Sequence, residues 1–202
     1  MRSKVVATAA IGLLIGMAAA VFALPGPIQS FFSPPKSWTL GKAAIGGPFE
    51  LVDHDGRTVT DKSYAGEFLL VFFGFTYCPD ICPATLQSVS AVVDGLGQRA
   101  QKLRPLFITV DPERDTPDVL KEYLSNFNQR IVGLTGTSAQ VSAAAKVYRA
   151  YFRKVEDKSL SDEYTVDHSS FVYLMSPDGE FITHFTHATP PDKIQSRLRK
   201  IL

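Results

Sequence analysis

The sequence predicts an α/β domain in which a mostly parallel central sheet carries helices on both faces. Three observations carry this. Two continuous apolar runs, FLLVFFGF (68–75) and LFITVD (106–111), have the length of strands buried on both sides. Segments with helical spacing or helix caps follow each of them. Asp-Gly pairs at 55–56 and 178–179 mark tight hairpins before and after this alternation. The order hairpin, β-α-β-α-β-α, hairpin, helix gives parallel pairs joined by crossovers.

The chain of 202 residues is one ordinary domain with an appendage. Arg2 and Lys4 precede an apolar run from Val5 to Leu24, interrupted by Thr8. Twenty helical residues rise roughly 30 Å, enough to span a bilayer core. Residues 1–24 are therefore expected to be a membrane anchor, with Pro25-Gly26-Pro27 as its stop. The basic flank predicts that the amino end stays in the cytoplasm and the domain lies on the far side. A cleaved signal peptide, with small residues at Ala18 and Ala20, is the competing reading. No cysteine lies nearby, which excludes a lipoprotein. Residues 25–45 hold four prolines and read as an extended tether, leaving 46–202 as the domain.

Within the domain, FELVDHDGRTVT alternates around Asp55-Gly56 as a hairpin. The buried strand 68–75 follows. Leu86, Val89, Val93 and Leu96 then recur at helical spacing. After the strand 106–111, Thr116-Pro117-Asp118 supplies an N-cap, a first-turn proline and an acid, opening a helix through VLKEYLSNF. IVGL is a short strand. Thr137 and Gln140 fit a capping box for a helix running to about Phe152. SFVYLMSPDGEFITHF (170–185) is a hairpin, and Thr189-Pro190 starts a last helix with Ile194, Leu198 and Ile201 on one face. In such sheets functional residues lie beyond the carboxyl ends of the strands.

Composition is that of a globular protein, 45% hydrophobic and 20% charged with formal net charge +1, and gives no electrostatic case for nucleic acid. The only two cysteines, Cys78 and Cys82, fall just past the first buried run. If CPDICPATL is the first turn of a helix, the two share one face about 6 Å apart, within disulfide reach of roughly 4.4–6.8 Å. The pair can then close, or open and present both sulfurs to one ion, and a helix N-terminus favours thiolate. A purely structural disulfide would close a loop of a few residues and remove little denatured-state entropy. Structural zinc needs four protein ligands, and the chain has two sulfurs. Two soft sulfurs and one imidazole suit copper, above all Cu(I).

Four histidines compete for the third place. His54 reads as a solvated turn residue, and His184 and His187 as surface or packing residues near a hairpin end. His168 sits between a polar loop (Asp157 to Tyr164) and a strand, with Asp167 adjoining as a group that can orient the ring or favour positive charge. Periodicity alone leaves His168 open between ligand and satisfied turn residue.

FGFTYCPDICPATL, TVDPERDTP and VDHSSFVYLMSPDGEF together resemble the Sco/SenC family of copper proteins, over about residues 45–202 and in the family's order. The resemblance implies a thioredoxin-like fold embellished as in peroxiredoxins. It implies one copper, as Cu(I) and also Cu(II), held by Cys78, Cys82 and His168, with Asp167 tuning the site. Asp111, Arg114 and Asp115 are motif residues to which it gives no catalytic role. It implies assembly of the binuclear copper centre of cytochrome c oxidase, as metallochaperone or as thiol-disulfide reductase with Cys78 and Cys82 as redox pair. The implied partners are the copper-centre subunit of the oxidase and a second copper chaperone or thiol reductant. The implied location is membrane-anchored in the periplasm or the mitochondrial intermembrane space. A copper or redox sensor is a third reading.

Two departures from thioredoxins disfavour a general disulfide oxidoreductase. CxxxC replaces CxxC, and Val166-Asp167-His168-Ser169 puts His168 where thioredoxins have a proline. A peroxidase is weaker still, because Thr76 lies only two residues before Cys78 and Pro79 stands three before Cys82.

Overall fold

The structure, a computed structural model, describes residues 44–156 and 164–202. The expected anchor, nearly all of the expected tether and the polar segment 157–163 lie outside the described residues. Among the described residues no helix is long and apolar enough to cross a membrane.

The hairpin β1 (Glu50–Asp53) and β2 (Thr58–Thr60) leads through a short 3-10 turn to β3 (Phe68–Gly74). Then come α1 (Ile81–Leu96), β4 (Leu103–Thr109), α2 (Pro117–Leu124), β5 (Val132–Thr135) and α3 (Ser138–Val147). A ribbon of β6 (Phe152–Glu156) and β7 (Tyr164–His168) precedes the hairpin β8 (Phe171–Met175) and β9 (Phe181–Thr186) and the helix α4 (Pro191–Leu198).

Seven strands form one sheet in the order β2-β1-β5-β4-β3-β8-β9. Only β3–β4 and β4–β5 run parallel. The other four pairings are antiparallel, so the sheet is mixed rather than mostly parallel. Helical crossovers join only the three central strands, and each hairpin adds to an edge in the opposite direction.

Alternation along β3 assigns the faces. Phe72 meets Phe107, which meets Tyr123 of α2, on one side. Phe73 meets Tyr148, at the end of α3, on the other. Leu86, Val89, Val93 and Leu96 are buried along α1 as their spacing predicts, and α4 buries Ile194 and Leu198. Both predicted caps form: Thr116 accepts from the Val119 N–H, and Thr137 with Gln140 closes a capping box.

Two elements differ from expectation. Helix α3 ends at Val147, because Arg149 adopts a left-handed φ of 54° that breaks the ladder. The residues beyond it pair with 164–168 as the separate two-stranded sheet, with Phe152 opposite His168.

Candidate metal centre

The cysteines lie in the connection between β3 and α1, beyond the carboxyl end of the central strand. Gly74 ends β3 against the second sulfur: a Cβ there would sit 2.8 Å from Cys82 Sγ and 2.7 Å from Phe107 Cε2. Helix α1 starts at Ile81, so Cys78 belongs to the preceding turn and not to the helix. Pro83 explains this, since its ring excludes a helical carbonyl four residues earlier, at Pro79. The turn folds back instead. Cys78 Sγ accepts the Cys82 N–H at 3.5 Å, whereas the Asp80 side chain makes no cap bond. The sulfur itself caps the helix. Cys82 is fully buried, Cys78 half-buried, and both are free thiols.

His168 ends β7 and reaches the same point from the other direction. Its ring packs edge-on against Phe72 and Phe75, with centroids at 6.2 and 5.7 Å. Nδ1 lies 3.1 Å from the Ser169 carbonyl oxygen, which can only accept, so Nδ1 carries the proton. Nε2 is the ring nitrogen that faces the sulfurs, 3.4 Å from Cys82 Sγ. Reciprocal bonds fix this corner: Ser169 N–H donates to the Tyr151 carbonyl at 2.8 Å, and Tyr151 N–H to Ser169 Oγ at 3.0 Å. The two Sγ atoms and a ring nitrogen of His168 all lie within 4.8 Å of one another.

The two thiols are not equivalent. Hydrogen bonds from the Cys82 thiol, the His168 ring and the backbone N–H groups of Cys82 and Asp80 overcome the cost of burying Cys78 and hold its pKa down to about 4. Cys82 moves the opposite way, because its proton bonds the Cys78 thiolate and its site is buried. The Cys78 sulfur is therefore the charged one at neutral pH, and Cys82 is the thiol that donates to it.

The segment Asp111–Asp115, without an assigned role from sequence, is the frame that joins both arms. Asp115 is fully buried beneath the cysteine turn, and burial raises its pKa. Its carboxylate accepts Thr76 N–H at 3.0 Å, Thr76 Oγ1 at 2.6 Å and Thr109 Oγ1 at 2.6 Å. Asp111, also buried, accepts from Arg114 Nε and, at 2.9 Å, from Tyr164 Oη at the start of β7. The Arg114 guanidinium lies over two rings, 3.9 Å from the Tyr164 centroid and 4.6 Å from that of Tyr77. One side chain therefore touches the cysteine turn and the histidine strand. The sequence signal was a dense acid-base run just after a buried strand.

Asp167 alternates to the outer face of β7, pairs with Arg153 at 3.6 Å and is 59% exposed. The orientation of the imidazole expected of Asp167 comes from the Ser169 carbonyl. His54 is no free turn residue: its Nδ1 accepts the Gly133 N–H at 2.8 Å, tying the first hairpin to β5. His184 packs on Phe171 at 4.8 Å, and His187 meets Ser170 Oγ at 3.1 Å.

A central mixed sheet with flanking helices, and a CxxxC turn facing a strand-borne histidine, define a thioredoxin-like domain adapted to present two sulfurs and one imidazole together. The SCO1/SenC family model matches residues 38–202, and the chain belongs to that family. It is similar to the mitochondrial protein SCO2 of Saccharomyces cerevisiae, 48% identical over 143 residues, covering 70% of this chain and 48% of the relative. The mitochondrial SCO1 homologue of Homo sapiens is 45% identical over 148 residues, covering 72% and 49%. The chain thus spans about half the length of these curated relatives. The structure of Bradyrhizobium japonicum ScoI with copper bound matches with a TM-score of 0.73 at 44% identity, covering 79% of this chain and 100% of that one.

Proposed function

We propose that this chain is a copper metallochaperone for the binuclear copper centre of cytochrome c oxidase, holding one copper through Cys78, Cys82 and His168. The convergence of three donor atoms within 4.8 Å carries the reading. The donor set fits the ion: thiolate and imidazole are the soft and borderline ligands that suit copper. The Bradyrhizobium relative, with copper bound, supports the cargo. Cys78 and His168 are only partly buried, so an incoming thiolate can reach the site without unfolding a closed shell. In this reading residues 1–24 anchor the chain and 25–45 tether it. The domain works in the periplasm or intermembrane space, receives copper from another chaperone and passes it to the oxidase copper-centre subunit. Copper loading followed by metal analysis tests it. Wild type should hold one copper per chain, and His168→Ala should bind at least about tenfold more weakly; unchanged affinity overturns the three-ligand site.

The inequality of the thiols favours a second reading, a thiol-disulfide reductase that keeps the oxidase cysteines reduced. A low-pKa sulfur beside a resolving thiol is the arrangement such exchange needs. Oxidase assembly that survives His168→Ala but fails in Cys78→Ser would favour it.

A further inference from the structure

His168 is carried by a ribbon that apolar burial alone does not seat. Among the described residues β6 and β7 pair only with each other, and two strands by themselves are marginal in water. Val166 is the one buried residue of the two strands, with Phe152 and Tyr164 half-buried against the core. The reciprocal bonds of Tyr151 and Ser169 close the ribbon on itself and do not hold it to the rest of the domain.

The polar ties from ribbon to domain converge on one place. Among the described residues, and apart from those of His168 itself, the hydrogen bonds and ion pairs that leave β6 and β7 all land on Asp111–Arg114. Tyr164 Oη donates to Asp111 at 2.9 Å, the Tyr164 carbonyl accepts from Arg114 Nη1 at 3.3 Å, and Lys154 pairs with Glu113 at 2.6 Å. Both members of that last pair are exposed, so it contributes little. Arg114 is the inner tie. Its side chain is largely buried, its charge is matched by Asp111, and its guanidinium lies over the rings of Tyr164 and Tyr77, 3.9 and 4.6 Å from their centroids.

Tyr164 and His168 are the two ends of β7, paired with Glu156 and Phe152 of β6. A strand of that length spans roughly 13 Å, so Arg114 holds the end of β7 remote from the imidazole. The same guanidinium touches Tyr77, the residue before Cys78. One group therefore fixes the histidine strand relative to the cysteine turn. Its charge alone does not explain the choice of residue. Arg114 Nη2 is buried and makes no hydrogen bond among the described residues, which costs stability. A lysine would answer Asp111 without that orphaned group. What the guanidinium adds is its pair of ring contacts and its bond to the Tyr164 carbonyl.

We propose that Arg114 is a positioning residue for the metal centre: by clamping Tyr164 against the cysteine turn, it fixes where β7 presents the His168 imidazole to the two sulfurs. The proposal rests on His168 as the third copper ligand given above. It separates Arg114 from the rest of the frame. Asp115 holds the cysteine turn through Thr76 and Thr109, whereas Arg114 acts on the histidine. Loosening Arg114 should therefore remove what His168 contributes to copper binding and leave what the cysteines contribute.

NMR of the histidine rings in the copper-free protein reads that position without any metal. In wild type the His168 signal should be displaced by Phe72 and Phe75, which pack edge-on to its ring. Arg114→Lys should move or broaden that signal while those of His54, His184 and His187 stay in place. Tyr164→Leu, which leaves Arg114 on Asp111, should do the same, and it decides the matter alone if the lysine variant does not fold. With copper, chelator competition should show Arg114→Lys binding about tenfold more weakly. On that background His168→Ala should cost less than about threefold, against at least about tenfold in wild type. An unmoved His168 signal in either folded variant overturns the proposal. So does a His168→Ala loss that stays as large beside Arg114→Lys as it is alone. A wild-type copper affinity indifferent to His168→Ala would refute the three-ligand reading instead. The copper-free His168 signal would then decide the positioning role by itself, supporting it if moved and overturning it if not.

Discussion

Gly74→Ala tests how tightly the sheet holds the second sulfur. A methyl at position 74 would lie 2.7 Å from Phe107 Cε2, 2.8 Å from Cys82 Sγ and 3.1 Å from Phe72 Cε1, all short of van der Waals contact. Phe72 and Phe107 are buried rings with no room to retreat. Backbone strain plays no part, because Gly74 is absent from the positive-φ residues. Overpacking of such a core costs about 1–3 kcal/mol. Restricting the unfolded chain returns roughly 0.5 kcal/mol. The net expectation is a loss of about 1–2 kcal/mol in urea unfolding of the copper-free protein, with the slope unchanged. Cys82 Sγ, in the first turn of α1, is the one of these neighbours that is not part of a buried ring, so it should move by several tenths of an ångström. Copper affinity, measured by competition with a chelator, should then fall by about tenfold. A variant with wild-type unfolding midpoint and wild-type copper affinity would refute the close packing of β3 against the site.

Three further outcomes follow from the site's electrostatics and its frame. In the reduced copper-free protein, alkylation of Cys78 should be nearly flat between about pH 5.5 and 8, where an ordinary thiol gains about tenfold per pH unit. Cys82→Ala, which removes the principal donor, should restore that rise, and a steep rise in the wild type would contradict the donor set. Because the folded pKa of Cys78 lies below the unfolded one, its contribution to stability is complete above the unfolded value, near 9. It is lost as pH falls toward about 4, and comparing urea midpoints of wild type and Cys78→Ser across that window measures it. Asp115→Ala strands the Thr76 N–H and two hydroxyls, at about 1 kcal/mol each, and should lower stability by about 3 kcal/mol; Asp115→Asn, which keeps an acceptor, should lose about 1.

Sequence pattern revealed most of the scaffold because its signals were local. The apolar run of β3, the Thr116 and Thr137 caps and the two Asp-Gly turns each announce themselves within a few residues. The ribbon of β6 and β7 stayed hidden for two physical reasons. Arg149 stops α3 in a conformation that usually calls for Gly or Asn. FRKVE, with its charged and exposed residues, does not show a buried face. At the site, residue types and spacing pointed to two sulfurs, and the family motifs pointed to His168. The unequal thiols could not be read, because they depend on Pro83 expelling Cys78 from the helix. Nor could the place of Asp167, since alternation along β7 sends neighbouring side chains to opposite faces and the sequence pattern marks no strand over Tyr164–His168.

In the proposed copper site the proton on Cys82 would couple metal uptake to acidity. Two ordinary thiols would each surrender a proton to a metal, and affinity would then climb with the square of hydroxide activity. Here hydrogen bonds already hold the Cys78 pKa down to about 4, so in the reading proposed above Cys82 is the sulfur that must give up its proton to the metal. Copper uptake would then follow pH less steeply than at a free dithiol.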